Sequence, residues 1–373
     1  MKHLLAVSWI LAACGTAPTP PVRPQPVDDD TACAQGNAAR CLAAGDRYEV
    51  LGTVDYDPRR AADAYQRACR RGIQRGCLRY ATLQQLGLGV PRDAPAALAM
   101  LDRLCTAGFT AACTDLALDY DSGMVVGRDV ARAMGLQARS CELGDDRGCR
   151  NYAFWIVSGL PVATTPACDP AKPATCMIAG AVDVARKVDP ETARAHFEQS
   201  CTKAYSSGCV FLAGTYPADD PRIKEAFQRG CDGGSGLACS ELAELYATGH
   251  GAPVDRAVAL RLYDQACTRG LTLGCHNAAV MYYTGDGVPK DAARGTARMT
   301  KACVGGLAPS CNDAGAFYAL GIGVAKNLAL ALQLLDYACT AGEASGCRNK
   351  EILARCQTDA SACASLEHVR ITQ

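Results

Sequence analysis

A cysteine returns every 36 residues in this chain, at Cys33, Cys69, Cys105 and Cys141 and again at Cys231, Cys267, Cys303 and Cys339, and each is followed eight positions later by a second. A fixed period of this length marks one supersecondary unit stacked on copies of itself, because a single unit cannot bury its own apolar face. The 373 residues are therefore expected to share one continuous all-α solenoid core rather than divide into separate compact domains. The blocks from Cys231, Cys267 and Cys303 carry the pattern most clearly. After the second cysteine, apolar residues fall at helical spacing (Leu242, Ala243 and Tyr246; Ala278, Ala279 and Tyr282; Ala314, Gly315 and Tyr318), which predicts a first helix. Paired glycines end it: Gly249 and Gly251, Gly285 and Gly287, Gly321 and Gly323. Asp255, Asp291 and Asn327 are placed to cap a second helix, which carries residues such as Leu260 and Tyr263 and runs to the next block's first cysteine. Three residues beyond that cysteine stands a glycine suited to a left-handed helix end: Gly234, Gly270, Gly306 and Gly342.

The run Cys-x7-Cys, Asn, Ala-x-x-Tyr, Gly-x-Gly-Val-Pro-Lys-Asp, then an alanine-rich helix ending Lys-Ala-Cys, resembles the Sel1-like repeat. Its paired cysteines resemble the disulfide-bearing Helicobacter cysteine-rich branch of that group. The resemblance implies αα-hairpins similar to tetratricopeptide repeats, wound into a right-handed superhelix that binds protein or peptide partners. It also raises penicillin binding or weak β-lactamase activity, with which the cysteine-rich relatives have been associated.

Cysteine usage bounds the compartment. Of 23 cysteines, Cys14 stands alone and the others form close pairs. They are Cys33-Cys41, Cys69-Cys77, Cys105-Cys113, Cys141-Cys149, Cys168-Cys176, Cys201-Cys209, Cys231-Cys239, Cys267-Cys275, Cys303-Cys311 and Cys339-Cys347, with Cys356-Cys363 one residue closer. Such density argues for an oxidising environment, and bridges within the pairs would staple one repeat to the next. Metal binding is the competing reading, but neither C-x-x-C nor C-x-x-C-H spacing occurs. No metal or cofactor is expected. With 38 basic and 38 acidic residues the chain is formally neutral, so nothing steers it toward nucleic acid.

Residues 1–13 read as a lipoprotein signal peptide, with Lys2, an apolar run, and Leu11-Ala12-Ala13 before Cys14, the expected lipidation site. Residues 14–32 are then a lipidated cysteine and a proline-rich tether. The repeat array is expected over 33–355, and a cap and tail over 356–373. This predicts an exported, membrane-anchored protein of the periplasm or outer membrane. Between about 158 and 225 the array is irregular: blocks shorten to 27, 33 and 30 residues, and Pro161, Pro166, Pro170 and Pro173 interrupt any long helix. A block of 27 residues has no room for two ordinary helices.

Stacked hairpins produce a concave wall lined by first helices, and the second residue after each second cysteine is the expected binding stripe. It comprises Arg79, Asp115, Asn151, Glu241, Asn277, Asp313 and Asn349, extended by Asp119, Glu244, Met281 and Phe317. Amides and carboxylates repeated along a groove suit an extended peptide chain. Catalytic signals are weak. Ser200-Cys201-Thr202-Lys203 matches S-x-x-K, but no K-T-G or S-D-N accompanies it, and the histidines lack any metal or triad spacing.

Overall fold

The structure, a computed structural model, describes residues 28–49, 57–123, 125–162, 166–356 and 365–366. The leader, Cys14, most of the tether, Cys363 and the tail beyond 366 lie outside the described residues, and with them the expected lipidation and the Cys356-Cys363 bridge. Nineteen helices follow one another among the described residues. They are α1 (Asp29–Ala34), α2 (Ala38–Tyr48), α3 (Pro58–Arg70), α4 (Gln74–Leu86), α5 (Ala94–Thr106), α6 (Thr110–Ser122), α7 (Val130–Glu142), α8 (Asp146–Val157), α9 (Pro173–Ala185) and α10 (Pro190–Ser200). After these come α11 (Gly208–Ala213), α12 (Pro221–Asp232), α13 (Gly236–Thr248), α14 (Arg256–Thr268), α15 (Thr272–Thr284), α16 (Ala292–Val304), α17 (Ala308–Leu320), α18 (Leu328–Thr340) and α19 (Ala344–Cys356). No helix among the described residues is long and apolar enough to cross a membrane.

Each regular block is an αα-hairpin, α13 packing on α14, α15 on α16 and α17 on α18, and each hairpin stacks on the next. The caps act where the sequence placed them: Asp255, Asp291 and Asn327 accept hydrogen bonds from the backbone N–H groups of Val258, Arg294 and Leu330. Apart from Cys168, which lies in non-helical chain before α9, the first cysteine of a pair ends one hairpin and the second opens the next, and the ten bridges among the described residues have Cα–Cα distances of 4.1 to 4.6 Å. At five of these bridges the residue before the second cysteine is a glycine packed against the preceding helix. A Cβ on Gly274 would stand 2.6 Å from the Ala266 Cβ, and one on Gly346 equally close to the Ala338 Cβ.

A second rule governs the core inside each hairpin. The residue four positions before a first cysteine is large (Tyr65, Leu101, Phe197, Tyr263, Met299, Leu335), and most of these are fully buried. Opposite it the first helix carries glycine or alanine. A Cβ on Gly45 would come 2.5 Å from the Tyr65 ring, on Gly180 2.8 Å from Phe197, and on Gly315 2.7 Å from Leu335. The knob fills the hole only because the hole holds at most a methyl group.

One hairpin breaks the rule. Gln137 occupies the knob position of α7, fully buried, and neither its side-chain nitrogen nor its oxygen has a hydrogen-bond partner. A buried unsatisfied amide costs about 1–3 kcal/mol. Gln137→Leu, near in volume and apolar like its counterparts, is expected to raise stability by about 2 kcal/mol. Urea unfolding followed by circular dichroism measures it, and a destabilised variant would show that the amide is satisfied.

The irregular stretch resolves as the block lengths required. The block from Cys141 holds a single helix among the described residues, α8, and Pro161, Pro166 and Pro170 lie outside helices. Pro173, Pro190 and Pro221 do not interrupt helices but begin them, in first-turn positions where no N–H is needed. The α9 and α10 helices form a hairpin, and α11 is only six residues long before α12.

Candidate functional site

The array curls until its two halves face one another. The first helices α4, α6 and α8 form one wall; the opposing wall is built from the junction turns at 234–237, 269–272 and 304–306 and from Gln333, Asp336 and Tyr337 of α18. Between them lies a cavity of about 810 Å³. The Tyr337 phenol reaches far enough across for Asp119 and Arg92 to act on it, and burial with the Asp119 charge raises its pKa against the opposing pull of Arg92.

Charged side chains of both signs line the first-helix wall. Arg79 is neutralised by Glu49 at 2.5 Å, and Glu49 also accepts the Tyr65 hydroxyl. Asp146 accepts the Ser207 hydroxyl at 2.7 Å and the Ser207 N–H, fastening the start of α8 to the start of α11 across the irregular blocks. Four others on these helices have no ion pair among the described residues: Asp115 and Asp119, one turn apart on α6, and Arg147 and Arg150 on α8. Gln85 donates to Asp119 at 2.6 Å, and Arg150 bonds only the neighbouring Asn151 side chain. Burial raises the Asp115 pKa, although Arg147 and Arg79 pull it down, and burial lowers that of Arg150. Asp119 is pushed up to about 6, by burial first and by the Asp115 charge second.

The sign of that last shift gives a measurable pH dependence. A carboxyl with its folded pKa above the unfolded value stabilises the fold when protonated, fully below about pH 4, and the contribution is lost as pH rises through about 6. Asp119→Asn keeps an acceptor for Gln85 without the charge. At pH 7.5 it is expected to be about 2 kcal/mol more stable than the parent, the partial exposure of the site already discounted, with the difference vanishing near pH 4. Urea titrations across that range test it, and a constant difference at all pH values would refute the assignment.

Of the stripe read from the sequence, Arg79, Asp115, Asp119 and Asn151 come together on this wall. Glu241, Glu244 and Asn277 gather elsewhere, around the Tyr263 hydroxyl, which donates to Glu244 at 2.5 Å. The other four are a correction. Phe317 is fully buried and stacks on Tyr283, with ring centroids 5.0 Å apart; Met281 is in the core of the preceding hairpins. Asn349 is fully buried and donates to Asn312 at 2.7 Å, and Asn312 in turn donates to the buried Asp313. In the last repeats this register faces the adjacent hairpin, so the side chains serve inter-repeat packing. Arg147, Arg150, Gln85 and Tyr337 complete the cavity without having been read from the sequence. Arg150 lies one residue from the stripe and a wider stripe would have included it; Tyr337 belongs to a second helix and carries no local signal.

The serine of the S-x-x-K match is also placed. Ser200 is fully buried, its hydroxyl donating to the Phe197 carbonyl at 2.8 Å, while Lys203 is exposed. His196 pairs with Asp183 at 2.6 Å and His276 with Ser310 at 2.9 Å, in separate hairpins. Among the described residues no group of three or more His, Cys, Asp or Glu is arranged to hold a metal ion.

The sequence signature of the Sel1 repeat matches residues 34–73, 74–109, 179–205, 236–271, 272–298 and 308–343, more than half of the chain. The chain belongs to the Sel1 repeat family. Similar solved structures include a protective antigen of uropathogenic Escherichia coli strains displaying an SLR fold, at 21% identity and a TM-score of 0.42 over 91% of this chain and 69% of that one. A Sel1 repeat protein from Oxalobacter formigenes is similar at 21% identity and a TM-score of 0.43, over 86% and 88%. Helicobacter pylori cysteine rich protein B is similar at 24% identity and a TM-score of 0.30, over 34% and 94%. No curated protein sequence matches. A Sel1 array is a scaffold suited to protein–protein interaction, and ten disulfides among the described residues of this one place it in an oxidising, extracytoplasmic setting.

Proposed function

We propose that this Sel1 protein is an exported lipoprotein, anchored through Cys14, whose array captures a protein or peptide partner in the cell envelope. The observation that carries the reading is the partly open cavity of about 810 Å³, walled by helices from both ends of the array and lined by charged groups, several of which have no ion pair among the described residues. A groove that only had to be structural would have its charges paired or its walls closed on one another. The leader ending Leu11-Ala12-Ala13-Cys14 and the bridge density support the location. A photoreactive residue at Leu118, 49% exposed and lining the cavity, is expected to form a covalent adduct with the partner in intact cells. The same residue at Leu328, 36% exposed and outside the cavity, serves as the control. Equal adducts from both positions, or none from Leu118, would sink the reading. Cys14→Ala is expected to move the protein from the membrane to the soluble fraction, and unchanged fractionation would exclude the anchor.

A further inference from the structure

Charges of both signs without a direct ion pair among the described residues stand side by side in the cavity. Asp115 and Asp119 project from α6, while Arg147 and Arg150 project from the adjacent α8; all four line the same space, and none makes an ion pair among the described residues. Asp115 has no side-chain hydrogen bond, and Asp119 has one, from Gln85. Arg147 acts on Asp115 across this space, but no direct ion pair among the described residues joins the two sets.

From this juxtaposition we infer that the cavity binds a zwitterion: a ligand whose cationic group sits on Asp115 and Asp119 while its carboxylate sits on Arg147 and Arg150. The inference rests on reading the cavity as the binding site. Neighbouring packed helices lie about 8–10 Å apart, which two to three extended residues at about 3.4 Å each would span. The chemistry is that of a short peptide with free termini, or of a protein segment carrying a basic and an acidic side chain at that separation. Each half of the site has geometry for its task. Two carboxylates one helical turn apart can share an ammonium, and guanidinium groups donate in a fork that matches a carboxylate. Asp119, titrating at about 6, is ionised at pH 7.5 and supplies a negative charge under the conditions of the test.

Calorimetric titration of the full mature chain at pH 7.5 with a peptide series decides the matter. Trialanine with free termini and acetyl-Lys-Ala-Glu-amide represent the two sources of the same chemistry, and the tighter of the two identifies the source. Acetyl-trialanine lacks the cation, trialanine amide lacks the anion, and acetyl-trialanine-amide lacks both. Removal of either charge is expected to weaken binding at least about tenfold, a difference of about 1.4 kcal/mol. Asp119→Asn and Arg147→Gln are each expected to produce a similar loss with the unmodified zwitterion. Should either variant fail to fold, the peptide series on the parent chain still decides. Binding of the doubly blocked peptide within about threefold of the zwitterion, or no binding of either zwitterion below about 10 mM, overturns the inference. Persistence of the Leu118 adduct alongside failed peptide binding overturns this inference alone. Peptide binding without an adduct overturns the partner reading and leaves this one standing.

Discussion

Complete reduction of the ten bridges is expected to lower the melting temperature by roughly 20 °C or more and to replace one cooperative transition with a broad one. Each bridge joins residues separated by eight positions, a loop for which restriction of the unfolded chain contributes about 2.5 kcal/mol. In a solenoid each repeat touches only its neighbours, so stability resides in the interfaces, and every one of these bridges except Cys168–Cys176 crosses an interface. Their loss therefore loosens the array at many points together. The order of reduction is also set by the fold. Cys41, Cys113, Cys149, Cys239, Cys267 and Cys311 are fully buried, whereas both sulfurs of Cys69–Cys77 and of Cys339–Cys347 belong to partly exposed residues. Limited reduction, alkylation and mass spectrometry are expected to find those two bridges opened first. A fully reduced chain that melts within about 5 °C of the oxidised one would show that helix packing alone holds the array.

Gly323→Ala is expected to cost about 4 kcal/mol, and Gly251→Ala only about 1–2 kcal/mol, although both are the second glycine of the same inner turn and both have positive φ, +67° and +77°. The shared part is the left-handed backbone, which any Cβ opposes. The difference is what the Cβ meets. At Gly323 it would be driven into the Ala292 carbonyl at the start of α16, with the Ala293 nitrogen 2.6 Å away, because the turn is pressed on the second helix of the preceding hairpin. Gly287 meets Arg256 of α14 in the same way. Gly251 follows the irregular blocks and finds only the Leu245 side chain at 4.0 Å. Chemical denaturation of the two variants separates conformational from steric cost. Equal losses would mean that the turns do not touch the preceding repeat.

The distribution of what could be read in advance follows the range of the interactions. Caps at Asp255, Asp291 and Asn327, the glycine helix ends and the junction cysteines are set by residues within one block, and the repetition makes each legible several times over. The pairing of Gly45 with Tyr65, or Gly315 with Leu335, is present in the sequence as a small residue and a large one at fixed offsets, but seeing it requires knowing which helix faces which. The cavity was legible only in part. Arg79, Asp115 and Asn151 share a register and a surface, yet the same register carries Asn349 into the core, because the last hairpins are covered where the early ones are open. Tyr337 lies more than two hundred positions from Asp119, and its approach is the sum of many small rotations between hairpins. No local period encodes that sum.

One consequence follows from where the cavity walls originate. Since α18 stands opposite α4 and α6 only after every intervening hairpin has contributed its turn of the spiral, the count of units is itself a structural parameter of the pocket. Insertion or deletion of a single unit, the commonest way for tandem arrays to change length, would carry the far wall past its counterpart and leave an open trough. In this chain, copy number and the shape of the cavity are the same inherited trait.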